Sequence, residues 1–180
     1  IEQINPFIVC NNYTNWTASN GILGGTPGTQ NSVFNSAPDI VAPQIISTSV
    51  LNDSTVLLLF NEPLSATANA TTSFNIDNGL SVIESNFYNT NNTALVLKTN
   101  TIDQNILYLL TILNLEDCAG NKVREINTNF GIGNTPNFNE IIISEIMANP
   151  QPSNGLPDIE YVELYNTSTK LINLKGTKLF

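Results

Sequence analysis

The feature that most constrains this chain is a run of seven short alternating segments between residues 44 and 130, each closed off by turn-forming residues. They are Gln44–Val50, Thr55–Phe60, Phe74–Ile76, Val82–Phe87, Ala94–Leu97, Tyr108–Leu113 and Val123–Phe130. Apolar residues recur at every second position, the period of a strand with one buried face. In Thr55–Phe60 this puts Val56, Leu58 and Phe60 on one side, toward a core, and Leu57 on the other. Seven such segments with turns every ~8–12 residues predict an immunoglobulin-like β-sandwich. Ser65–Ser73 has no strand character and is expected to be a loop or a short helical turn. Tyr108 opens the sixth segment, where such sandwiches often place a tyrosine whose hydroxyl bonds back to the backbone; a tyrosine filling the edge of the core is the other reading.

Two motifs sharpen this expectation. Leu59-Phe60-Asn61-Glu62-Pro63-Leu64, and Leu115-Glu116-Asp117-Cys118-Ala119-Gly120-Asn121 before the last strand, resemble the signatures of SbsA-type bacterial Ig-like domains. The resemblance covers residues 41–131 and implies an extracellular spacer or presenting module. It implies no reaction. A second resemblance lies in residues 139–180, where Ile142-Ile143-Ser144-Glu145-Ile146, Glu160-Tyr161-Val162-Glu163-Leu164-Tyr165-Asn166 and Ile172-Asn173-Leu174 are similar to the opening strands of a bacterial lamin-tail domain. On those strands Val162 and Leu164 are expected to face a core, with Tyr161, Glu163 and Tyr165 opposite. The segment 1–36, with Asn15-Trp16 and Gly24-Gly25-Thr26-Pro27-Gly28, looks like the closing part of another lamin-tail domain plus a linker. Taken without the resemblance, it is an irregular, turn-rich tail with Trp16 as its one large anchor. The expected organisation is therefore all-β, Ig-like sandwich modules in tandem: 1–36, 41–131 and 139–180. The sequence opens and closes like a window on a longer protein. Ser36–Pro43 forms one linker, stiffened by Pro38 and Pro43, and Gly131–Asn137 the other.

Composition excludes several functions. The formal net charge of −9 arises from only 12% charged residues, with five lysines and Arg124 scattered along 180 positions. Phosphate neutralisation needs clustered cations, so nucleic-acid binding is not expected. With no run of 18 apolar residues, no membrane insertion is expected either. The chain contains no histidine, which removes Ser-His-Asp and Cys-His nucleophilic sites and every histidine-based metal site. Glu145, Glu160 and Glu163 all sit in the third segment, but no glycosidase motif accompanies them. Asparagine, at 29 residues, is the outlier and favours turns and strand ends. Six N-x-Ser/Thr sequons begin at Asn12, Asn15, Asn52, Asn69, Asn91 and Asn166, and Asp53-Ser54-Thr55 has the form of a bacterial O-glycosylation acceptor. Short tripeptides of this kind arise readily by chance in such a chain.

One constellation fits a ligand. Asp117 and Asn121, helped by Glu116, would offer oxygens to Ca²⁺, although the same residues serve a tight turn in which Asp caps and Gly120 supplies positive φ. The turn reading is preferred, and no other cofactor is expected. Cys10 and Cys118 lie in different segments, and two separate thiols are expected rather than a disulfide. Together these readings predict a non-catalytic structural or adhesive module of a secreted or cell-surface bacterial protein. Its partners would be neighbouring domains of the same chain, other surface or secretion-apparatus proteins, or glycans. Such arrays resemble those exported by the type IX route. The alternative is an accessory region of a secreted hydrolase or nuclease.

Overall fold

In the computed structural model, residues 1–8, 15–148 and 159–178 are described. The seven alternating segments form strands β3 to β9. These are β3 (Ile45–Asn52), β4 (Thr55–Phe60), β5 (Ser73–Ile76), β6 (Val82–Phe87), β7 (Ala94–Thr99), β8 (Tyr108–Glu116) and β9 (Lys122–Phe130). They pair antiparallel in two sheets, of order β3-β4-β7-β6 and β5-β8-β9. Lettered in chain order, this is ABED against CFG, the strand order of a constant-type immunoglobulin sandwich. The all-β, Ig-like class expected from alternation is thus the one found. The turn-rich stretch before β5 carries a single helical turn, α1 (Ala68–Thr71).

Alternation became a core because two sheets face each other. Val56 and Leu58 are fully buried and Phe60 nearly so, while Leu57 and Leu59 between them are half-buried. Leu95, Leu97, Leu110, Ile112 and Leu115 complete the interior, each large aliphatic contributing about 1.5–3 kcal/mol by leaving water. Tyr108 is also buried, and its ring stacks on Phe130 at 5.5 Å. Along one edge the contact between sheets is polar: the hydroxyls of Thr48 on β3 and Thr128 on β9 lie 2.8 Å apart.

The excess of asparagine has a structural use. Asn78, Asn92, Asn105, Asn114 and Asn139 all adopt positive φ, between 52° and 65°. This is the left-handed region that asparagine tolerates best after glycine.

The N-terminal residues belong to the same unit as the sandwich, which comprises 1–102 and 108–130. Here β1 (Glu2–Gln3) pairs with β2 (Trp16–Thr17). The expected anchor is displaced: Trp16 is 42% exposed, whereas Glu2, Asn5 and Asn15 are buried. A polar lock replaces an apolar one. The Glu2 carboxylate accepts hydrogen bonds from Ser19 Oγ, Thr26 Oγ1, Ser32 Oγ and Ser32 N, which folds the glycine-rich loop around it. Those bonds, Thr26's above all, hold its pKa near 2 against partial desolvation. Asn15 Oδ1 accepts from Asn5 N, and Asn15 Nδ2 donates to Asn5 O, so this sequon asparagine is engaged in the fold.

The second unit comprises 103–107 and 131–180. Its ribbon pairs β10 (Ile141–Met147) with β11 (Tyr161–Asn166), with a bulge between Ile143 and Glu145. Two expectations are corrected here. Val162 is 39% exposed and Leu164 half-buried, because no second sheet covers that face among the described residues. The strand expected at Ile172-Asn173-Leu174 is a single parallel bridge, Asn134 to Ile172, followed by a turn with Gly176 at φ 83°. The segment 131–134 is no free linker: Asn105 N donates to Ile132 O, Asn134 N to Leu171 O and Asn173 N to Asn134 O. Gly133 permits this approach, since a Cβ there would lie 2.8 Å from the Ile172 carbonyl carbon. The Pro/Gly-rich stretch 149–158 lies outside the described residues, as does the sequon at Asn12.

Candidate functional site

At one pole of the sandwich, three connections meet. The incoming segment 36–43 precedes β3, Glu62 follows β4, and Asp117 follows β8. The turn after β8 forms as its sequence demands. Gly120 sits at φ 94°, and Asn121 N donates to Asp117 Oδ1 at 2.8 Å. Asn121 Nδ2 donates to Asp117 Oδ2 at 2.8 Å and also reaches Val41 O at 3.1 Å and Asp39 O at 3.3 Å. One side chain thereby fastens the arriving linker to the turn. Further backbone bonds run from Cys118 N to Pro63 O, from Ser65 N to Glu116 O, and between Gln44 and Asn61. Pro43 is fully buried beside them.

Of the two metal-site candidates, Asn121 thus donates its amide hydrogens to Asp117, and Asp117 is 1% exposed. Glu116 turns away to an ion pair with Lys122 at 3.3 Å. The acids brought to Asp117 are two that sequence reasoning passed over, Asp39 and Glu62. One carboxylate oxygen from each of Asp39, Glu62 and Asp117 lies within 4.8 Å of the others. Glu62 Oε1 is shut off from solvent and has no hydrogen-bond partner. Desolvation, followed by the charges of Asp39 and Asp117, raises the Glu62 pKa to about 7. The available signal was slight: Asp39 and Glu62 are lone acids, each next to a proline, in segments otherwise free of charge.

Cys118, in the same turn, is disulfide-bonded. The only other cysteine in the sequence, Cys10, lies outside the described residues. The expectation of two separate thiols is corrected. It rested on a boundary between the N-terminal segment and the sandwich, yet the two form a single unit.

The carboxylates considered for catalysis lie elsewhere. Glu145 and Glu163 face each other across the ribbon and are exposed, as is Glu160. Glu163 accepts from Ser144 Oγ, and Glu145 from the Tyr161 hydroxyl, whose pKa is raised chiefly by that bond. No element encloses them among the described residues. No helix among the described residues is long and apolar enough to cross a membrane.

No family model matches the chain, and no curated protein matches it. Among solved structures, it is similar to "Structure of surface layer protein SbsC, domains 1-6", at 15% identity and a TM-score of 0.45, over 58% of this chain and 15% of that one. It is also similar to the N-terminal part of the bacterial S-layer protein SbsC, at 16% identity and TM-score 0.45, over 74% and 33%. A third is the S-layer protein rSbsC(31-844), at 15% and 0.45, over 76% and 22%. The chain thus spans between 15% and 33% of the length of these structures. Likeness this distant carries nothing about activity.

Proposed function

We propose that this chain is a non-catalytic structural unit of a secreted or cell-surface bacterial protein. In this reading an SbsA-type Ig-like sandwich spaces and orients the modules attached to it. The observation that carries the reading is the fastened linker. A flexible tether leaves its carbonyls to water, whereas here Asn121 takes up Asp39 O and Val41 O, and Asn5 Nδ2 donates to Ala37 O. Such bonds turn a prolyl linker into a fixed joint, which suits a spacer and serves no reaction. The flanking segments 1–36 and 139–180 would belong to lamin-tail-like modules, and export by the type IX route and adhesive contacts with proteins or glycans fit the same setting.

Backbone ¹⁵N relaxation on the whole chain tests the joint. Order parameters for residues 39–42 are expected to match those of β4, at about 0.85, and values below about 0.6 would overturn the reading. Turnover of a polysaccharide, peptide or nucleic acid by the purified chain, abolished by one substitution within it, would overturn the non-catalytic part.

A further inference from the structure

We propose that the polar pocket between residues 104–105 and 133–137 binds a neutral saccharide. It lies wholly within the second unit. It measures about 440 Å³ and is walled by Gln104, Asn105, Asn134, Thr135, Asn137 and Lys170. Each of these side chains ends in an amide, a hydroxyl or an ammonium, and none is acidic or apolar. That set narrows the ligand by elimination. A hard cation is held chiefly by carboxylates, and the wall has none. An anion needs an unspent positive charge, yet Lys170 Nζ is already paired with Glu140 Oε1 at 2.5 Å. An apolar molecule would meet no apolar lining. What remains is an uncharged ligand rich in both donors and acceptors. Each amide carries both kinds of group on one side chain, as each sugar hydroxyl does on one atom.

The wall is set before any ligand arrives. Asn134 Nδ2 donates to Asn105 Oδ1, and the Asn137 backbone N–H and amide both donate to Glu140. Backbone bonds from Asn105 N to Ile132 O and from Asn134 N to Leu171 O brace the two sides. Bonding capacity is left over all the same. Among the described residues the Gln104 amide and the Thr135 hydroxyl have no partner, and Asn105 Nδ2 and Asn137 Oδ1 are equally unspent. Beside the wall stands an aromatic residue that the core does not use. Phe138 follows Asn137 in a turn closed by Glu140 N donating to Asn137 O at 3.1 Å, and it is 94% exposed. An apolar ring next to a hydrogen-bonding pocket suits a pyranose, which has an apolar C–H face and a hydroxylated rim. The surface setting proposed above is where such a ligand would be met, and the assignment rests on that reading to this extent.

A few net hydrogen bonds support a Kd on the order of 1 mM, so glucose, galactose, mannose and N-acetylglucosamine are each titrated to about 50 mM into the whole ¹⁵N-labelled chain. At least one is expected to shift the side-chain amides of Gln104, Asn105 and Asn137 saturably. Gln104→Ala and Phe138→Ala remove exposed groups that the fold does not need, and each should weaken that binding roughly 2–10-fold. No shift with any of the four sugars, shifts confined to residues outside the pocket, or unchanged affinity in either variant would each overturn the site. Tighter binding of glucuronate than of glucose would overturn the neutral class and point to Lys170 as an anion partner. The fixed joint is read from residues 39–42 in the other unit, so the pocket and the spacer reading can fail separately.

Discussion

Strands β4 and β11 are built from the same pattern and end in opposite circumstances. In Thr55–Phe60 every second residue is buried; in Tyr161–Asn166 none is. Both alternate, both pair antiparallel, and both carry aliphatic and aromatic side chains. The difference is what faces them. β4 lies in a four-stranded sheet whose inner side chains meet a second sheet, whereas β11 has one partner, β10, and no described layer above it. Ile142, Ile143, Ile146, Val162 and Tyr165 therefore stay between 39% and 61% exposed. Alternation specifies a face; only a second layer makes that face a core.

Truncations inside each strand sharpen this contrast most. Leu58→Ala should cost roughly 2–5 kcal/mol by leaving a cavity in the sandwich, and Leu57→Ala should cost less. Val162→Ala on the ribbon should stay within about 0.5 kcal/mol. Denaturant melts rank the three, and a Val162→Ala cost near that of Leu58→Ala would break the comparison.

Next in size is the clamp. Asn121→Ala deprives the buried Asp117 carboxylate of a donor and should cost about 1–3 kcal/mol, with lost exchange protection at Cys118 and Asn61 beside the linker. Unchanged stability in urea would show that the turn closes without it.

Acid should act on both units through different carboxylates. Glu2 and Glu140 each have a pKa lowered from 4.5 to about 2, Glu2 by its ring of hydroxyls and Glu140 chiefly by Lys170. A depressed folded-state pKa means that the contribution is present above pH 4.5 and is lost as pH falls through about 2. Protection of the Ser32 N–H, bonded to Glu2, should fade across that window, and Glu2→Gln should weaken it at pH 7. Insensitivity of Ser32 to both changes would remove Glu2 as the lock. Weakest of the polar contacts, the ion pair made by the 66% exposed Lys122 should, when Lys122→Ala breaks it, change the unfolding free energy in denaturant melts by less than about 1 kcal/mol.

Much of the sandwich was legible because its signal is local. Val56, Leu58 and Phe60 declare their face by spacing alone, and Gly120 with Asn121 declares a turn. The pole was legible only in part. Asp117 stood out within its turn motif, but Asp39 and Glu62 lie 78 and 55 positions away from it in the sequence, and only the meeting of the two sheets, with the bridge between Leu64 and Asp117, brings them together. The N-terminal lock escaped for another reason. Glu2, Ser19, Thr26 and Ser32 bond through groups that are equally at home in water, so no hydrophobic period marks them. Trp16 looked like the anchor because large aromatics usually bury, and here the polar network does that work. On the ribbon, Val162 and Leu164 followed the strand period faithfully, but the period does not report whether anything lies opposite.

The central claim is that closure between two sheets, not strand alternation, divides this molecule into a protected sandwich and an open ribbon. Native-state hydrogen exchange on the whole chain tests it most directly. The account predicts that the paired amides of β4, β7 and β8 exchange slowest, through opening of the whole sandwich, and that those of β10 and β11 exchange faster by orders of magnitude. Equal protection of Ile141–Met147 and Thr55–Phe60 would contradict it.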